Sequence, residues 1–150
     1  ENNYKQDKVA SSSTIYLCIL TALMNVILIL SFRELIVSIY TTDEIIFSLA
    51  VYLLIFAAIF QLPDGIQMGA LGSLRGFKDT FVPMILLFIS YWIFAMPIGY
   101  YLTMTGFDAP MGAAGMWFGM IIGLSIFAIL AILRLRWVIK KYLKKVEVTY

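Results

Sequence analysis

The 30 residues between Glu44 and Arg75 contain a single charge, Asp64. As a helix, such a run would be about 45 Å long at ~1.5 Å per residue, enough to cross a hydrocarbon core of roughly 30 Å. Three more apolar runs accompany it, so candidate spans cover residues 14–33, 45–74, 81–103 and 111–134. Hydrophobic residues make up 62 % of the chain and charged residues 13 %, where a soluble domain carries about 25 % charged. A water-soluble fold of 150 residues could not hide that much apolar surface. No run alternates with period two for long enough to make a barrel strand. The fold class is all-α transmembrane, with four spans in up-down order.

Basic residues set the expected orientation. Lys5 and Lys8 precede the first span, Arg75 and Lys78 lie between the second and third, and Arg134, Arg136, Lys140, Lys141, Lys144 and Lys145 follow the fourth. An even number of spans puts all of these on one side, leaving Arg33 on the other beside Glu34, Asp43, Glu44 and Asp108. The positive-inside bias then makes both termini cytoplasmic. Span topology and anionic headgroups account for the basic tail, so it implies membrane lipid and no nucleic acid. The polar opening ENNYKQDKVASSST reads as an exposed connector, with Ser11, Ser12 and Ser13 as cap candidates for the first span. Its start without methionine fits a chain cut from something larger. Residues 35–40 fit either an extension of that span or a short interfacial helix.

The side-chain inventory excludes several kinds of chemistry. There is no histidine, and Cys18 is the only cysteine, so zinc, haem and iron–sulfur sites are not expected. Without histidine, paired acids at workable spacing or a nucleophile set, an enzyme is not expected either.

What polar chemistry there is gathers on span two, in the sequence IFQLPDGIQMGALGSLRG. Gln61, Asp64 and Met68 fall at i, i+3 and i+7, and Gln67 follows Asp64 by three, so they share a broad helical face. Pro63 cannot bond the carbonyl of Ile59 and favours a kink. A freed carbonyl beside a carboxylate is half of a Na⁺ or proton site. The other reading is a structural one, in which Asp64 pairs with a polar partner and only holds helices together. A carboxylate at this depth is costly, which weights the first reading.

Several other residues stand out. Gly65 and Gly69 on span two, and Gly115, Gly119 and Gly123 on span four, form small-residue stripes that suit close helix packing. On span three, Pro83 falls in the first turn and Pro97 deep inside, where a kink is expected. Tyr91 and Trp92 sit mid-span and either line a cavity or pack. Asn25 on span one is a candidate for a hydrogen bond across helices or a pore-lining role. Arg75, Gly76, Lys78 and Asp79 form a compact cytoplasmic turn, in which Arg75 and Asp79 could pair if the helix continued; Thr80 reads as the next cap.

The run FQLPDGIQMGALGSLRGFKDTFVPMI, followed by YWIFAMPIGYYL and GAAGMWFGMIIGL, resembles the last third of a multidrug and toxic compound extrusion transporter. The likeness extends over nearly the whole chain. It implies twelve helices in two six-helix lobes around a cleft, and export of organic, often cationic, compounds in exchange for Na⁺ or H⁺. By that resemblance the spans are helices nine to twelve, in a bacterial cytoplasmic (inner) membrane. Asp64 matches the helix-ten acid of the family's cation site, with Gln61 nearby. The family's helix-seven acid has no counterpart here, and the cleft needs both lobes. The missing N-terminal helices are therefore implied partners, along with drug or toxin substrates. The alternative from another class is a small four-helix membrane scaffold without transport activity of its own.

Overall fold

The computed structural model describes residues 2–106 and 109–147, with side-chain surroundings for 9–106 and 109–142. Asp108, and the side chains of Lys5, Lys8, Lys144 and Lys145, lie outside these described residues. Four helices are long and apolar enough to cross a membrane: Val9–Tyr40, Glu44–Gly76, Phe81–Met104 and Ala113–Tyr142.

Helix α1 runs Asn2–Tyr40 without interruption. The polar opening is thus helical rather than a connector, and Ser11–Ser13 lie inside a helix instead of capping one. The reason is local: no glycine or proline occurs between Asn2 and Tyr40, and the polar residues there leave the helical backbone bonds intact at small cost. Residues 35–40 are the end of α1. A three-residue turn follows, and Asp43 caps α2 (Glu44–Gly76), its Oδ1 accepting from the N–H groups of Ile45 at 2.9 Å and Ile46 at 3.1 Å.

Helix α2 closes with paired backbone bonds: Asp79 N–H to the Leu74 carbonyl at 3.0 Å and Lys78 N–H to the Arg75 carbonyl at 2.9 Å. This is the Schellman arrangement, which needs a left-handed residue just past the helix. Lys78, not Gly76, takes that position with φ 58°, at a cost of roughly 1 kcal/mol that a glycine would avoid.

The third span is built in pieces: α3 (Phe81–Ile89), a π turn (Ser90–Ala95) and α4 (Met96–Met104). Thr80 stands at the N-cap of α3 but makes no side-chain cap bond. Pro97 does not sit mid-helix; it falls in the first turn of α4. Its missing N–H would have left the Ile93 carbonyl open in a regular helix, and the chain widens one turn earlier, with Met96 N–H bonding the Tyr91 carbonyl. Helix α5 (Ala113–Glu147) completes the chain.

Helix α1 packs on α2, α2 on α5, and the third span on α5. Helices α2 and α5 are parallel, since Phe56 meets Phe118 at one end and Leu74 meets Leu135 and Val138 at the other. Midway, Ala70, Phe127 and Ala131 form a fully buried cluster. Burial rises from 6 % of the most apolar window of α1 to 33 % in that of α5, which makes α5 the centre and leaves α1 at the rim.

Both glycine stripes lie on helix contacts. A Cβ on Gly65 would meet Ala22 Cβ at 2.7 Å and the Cys18 carbonyl oxygen at 2.9 Å; one on Gly69 would meet Ile15 Cα at 3.0 Å. Gly115, Gly119 and Gly123 bring α5 against the third span so closely that a Cβ on Gly115 would stand 2.5 Å from Thr103 N, and one on Gly119 2.5 Å from Gly99 N. Gly72 and Gly76 face open space.

Candidate functional site

Asp64 sits half-buried on the long helix α2, which Asp43 starts and the Schellman turn ends. One turn further on, Gln67 is 8 % exposed and donates Nε2–H to Asp64 Oδ1 at 2.8 Å. That bond aims the amide so that Gln67 Oε1 is buried with no partner. Leaving a buried carbonyl-type acceptor empty costs roughly 1–3 kcal/mol, so its presence calls for a reason. Gln61, one turn earlier, is half-buried on the same face. Pro63 lies within a continuous α-helix, where it withholds one bond from the Ile59 carbonyl. An acidic oxygen, one orphaned amide oxygen and a released carbonyl thus lie within two turns of one helix.

The π turn, packed on α5, carries Tyr91 and Trp92. Tyr91 and Trp92 border an open cavity of about 260 Å³ together with Met96, Met116 and Met120. Trp92 is 59 % exposed and stacks on Phe88, ring centroids 5.8 Å apart. The cavity wall is apolar and sulfur-rich, a surface that adapts to varied shapes. Among the described residues, no three of histidine, cysteine, aspartate or glutamate cluster as a metal-ligand set.

The remaining sequence candidates are placed elsewhere. Asn25 is on the exposed side of α1. Gly65 and Gly69 seat α1, and Gly115, Gly119 and Gly123 seat the third span, so none of the five borders the Asp64 cluster as a ligand. In the turn, Arg75 and Gly76 are exposed. Asp79 pairs not with Arg75 but with Arg134 of α5, Nε to Oδ2 at 2.7 Å, because α2 ends at Gly76 and the chain turns Asp79 towards α5.

Two residues that matter were not singled out in the sequence. Ser90, the first residue of the π turn, is fully buried with its Oγ unpartnered. A hydroxyl among bulky apolar residues was the available signal. Arg134 was counted only as a topology charge, although it holds the turn in place.

Comparison with known proteins bears on the family of the chain. The MatE family profile matches residues 1–101. A probable multidrug resistance protein NorM of Idiomarina loihiensis is 51 % identical over 109 residues, 72 % of this chain and 24 % of that protein. A multidrug resistance protein NorM of Vibrio cholerae is 41 % identical over 143 residues, 94 % of this chain and 31 % of that protein. The multidrug resistance protein MdtK of Yersinia pseudotuberculosis is 37 % identical over 142 residues, again 94 % and 31 %. The chain therefore spans between about a quarter and a third of the length of these curated relatives. With a profile match over two thirds of its length and four membrane-length apolar helices, this chain belongs to the MatE family of transporters and not to a family of enzymes.

Proposed function

We propose that the chain forms helices nine to twelve of a cation-coupled multidrug exporter of a bacterial inner membrane. In this reading Asp64 is the residue at which Na⁺ or H⁺ couples to export of organic, often cationic, compounds. The observation that carries it is the hydrogen bond from Gln67 to Asp64 that leaves Gln67 Oε1 buried and unpartnered. The donor set suits a hard cation, because it consists of oxygens. Asp64, Gln67 Oε1, the Gln61 amide and the Ile59 carbonyl would hold Na⁺; a proton would need Asp64 alone. The bound ion supplies charge neutralisation, and the chain supplies the site's position on a rigid helix. The cavity bordered by Tyr91, Trp92 and Met120 suits an apolar, cationic compound, since its aromatic rings attract cations.

The test separates an exporter segment from a self-sufficient scaffold. The chain is expressed with or without the eight helices that this reading places before it, and efflux of a cationic dye from vesicles is driven by an imposed Na⁺ or H⁺ gradient. Gradient-driven efflux is expected only when both parts are present. The pair should also be more resistant to unfolding, since 6 % burial leaves α1 largely uncovered. A chain that is monomeric and equally stable alone would speak for the scaffold.

Orientation is tested separately. In a Cys18→Ser background, an impermeant maleimide added outside should label Ala109→Cys, in an exposed loop. It should not label Gly76→Cys, which is equally exposed at the basic end. Labelling of Gly76→Cys from outside would reverse the topology.

A further inference from the structure

At the basic end of the bundle a groove of about 330 Å³ opens between the α2–α3 turn and α5. Lys78, Arg134 and Lys141 border it, against one acid, Asp79. That acid is already engaged by Arg134 through Nε, and its side chain is only 16 % exposed. The terminal guanidinium nitrogens keep donors to spare, since arginine carries five N–H groups in a fork suited to phosphate. Trp137 fixes the cations in place: Arg134 Cζ stands 4.4 Å from its ring centroid and Lys141 Nζ 5.0 Å. Tyr142, packed on Phe77 with centroids 5.4 Å apart, closes the lower wall. Lys78 reaches the groove from the left-handed position of the turn.

Three cations around one engaged carboxylate leave, among the described residues, a formal excess of two positive charges with no protein counter-ion in the groove. Such an arrangement awaits an anion. Its place says which kind. Ile129, Leu133 and Trp137 are spaced by four on α5 and are 59, 54 and 49 % exposed, so an apolar stripe leads from the groove along the span. A free phosphate would use the cations and ignore the stripe. An amphiphile would use both.

We propose that this groove binds the phosphodiester of an anionic phospholipid, with the acyl chains lying along the α5 stripe. A basic residue near an anionic membrane surface contributes about 1 kcal/mol, or about five-fold in affinity. Native mass spectrometry of the intact protein, titrated with phosphatidylglycerol or phosphatidylcholine, tests the assignment. The double variant Lys78→Gln/Lys141→Gln keeps the Asp79–Arg134 pair and should weaken phosphatidylglycerol retention by about 25-fold. Arg136→Gln/Lys140→Gln removes the same charge from exposed positions that do not border the groove and should change retention by no more than about two-fold. Phosphatidylcholine should be retained weakly by all variants, and inorganic phosphate in large excess should not displace phosphatidylglycerol. Equal loss in the two double variants, or equal retention of the two lipids, would overturn the proposal. Displacement by inorganic phosphate would overturn the lipid assignment in favour of a free anion.

Discussion

Asp64→Asn, placed in the intact transporter, is expected to reduce gradient-driven dye efflux to the passive leak while the protein still inserts and folds. The substitution isolates charge from shape. Gln67 Nε2 donates to Asp64 Oδ1, and an asparagine can present its own Oδ1 at the same place, so the helix-internal bond survives. What disappears is the negative charge that a proton or Na⁺ must neutralise. Gln61→Ala should cause an intermediate loss, because it removes one oxygen of the donor set and leaves the carboxylate. Asp79→Asn removes the charge that faces Arg134 but should cost only about 1 kcal/mol of stability, as the pair is partly solvated, and should leave coupling largely intact. The measurement is efflux from vesicles under an imposed Na⁺ or H⁺ gradient, with membrane abundance matched between variants. A wild-type rate in Asp64→Asn would return this acid to a structural role and remove the basis of the proposed function.

The second large effect concerns packing. Gly119→Leu should destabilise the protein by about 3 kcal/mol or more, at or beyond the upper end of ordinary overpacking. A Cβ at Gly119 would lie 2.5 Å from Gly99 N and 2.6 Å from the Ala95 carbonyl oxygen, both backbone atoms of the third span. No rotamer change relieves such a contact; α4 has to move off α5. Gly72→Ala is the matched control: its Cβ would enter open space, and loss of a helical glycine should stabilise by up to about 1 kcal/mol. Thermal unfolding midpoints in detergent should move in opposite directions. Equal midpoints would mean that α4 and α5 are not in contact at Gly119.

The four spans were legible because hydrocarbon thickness imposes one simple demand, a long apolar run, and the chain meets it four times. The limits of α1 were not. Polarity at residues 2–13 marks where lipid ends, whereas a helix ends where backbone bonding stops, and nothing before Thr41 stops it. Pro97 signalled an irregularity in span three, but not its form, a π turn over Ser90–Ala95 whose end lies where Ala95 and Gly99 meet Gly119 and Gly123 on α5. The Asp64, Gln61, Gln67 set could be read from helical spacing because all three share one helix. Arg134 as the partner of Asp79 could not: 55 residues separate them, and only the parallel packing of α2 and α5 brings them together. Local periodicity carries no information about such a pairing.

That parallel packing also has a consequence for the order of synthesis. The residues that cover the inner face of α2, Phe127, Leu135 and Val138, are all encoded after the whole of the third span. While the ribosome is making α3 and α4, Ala70 and Leu74 lack the α5 residues that complete their burial, and the turn at Asp79 has no Arg134 to hold it. The first hairpin, α1 with α2, can close through Gly65 and Gly69 as soon as both helices have emerged. The remainder waits for α5. A nascent chain halted before Phe127 would therefore carry one settled hairpin and one open helix face, the state in which a membrane chaperone or a quality-control protease would meet it.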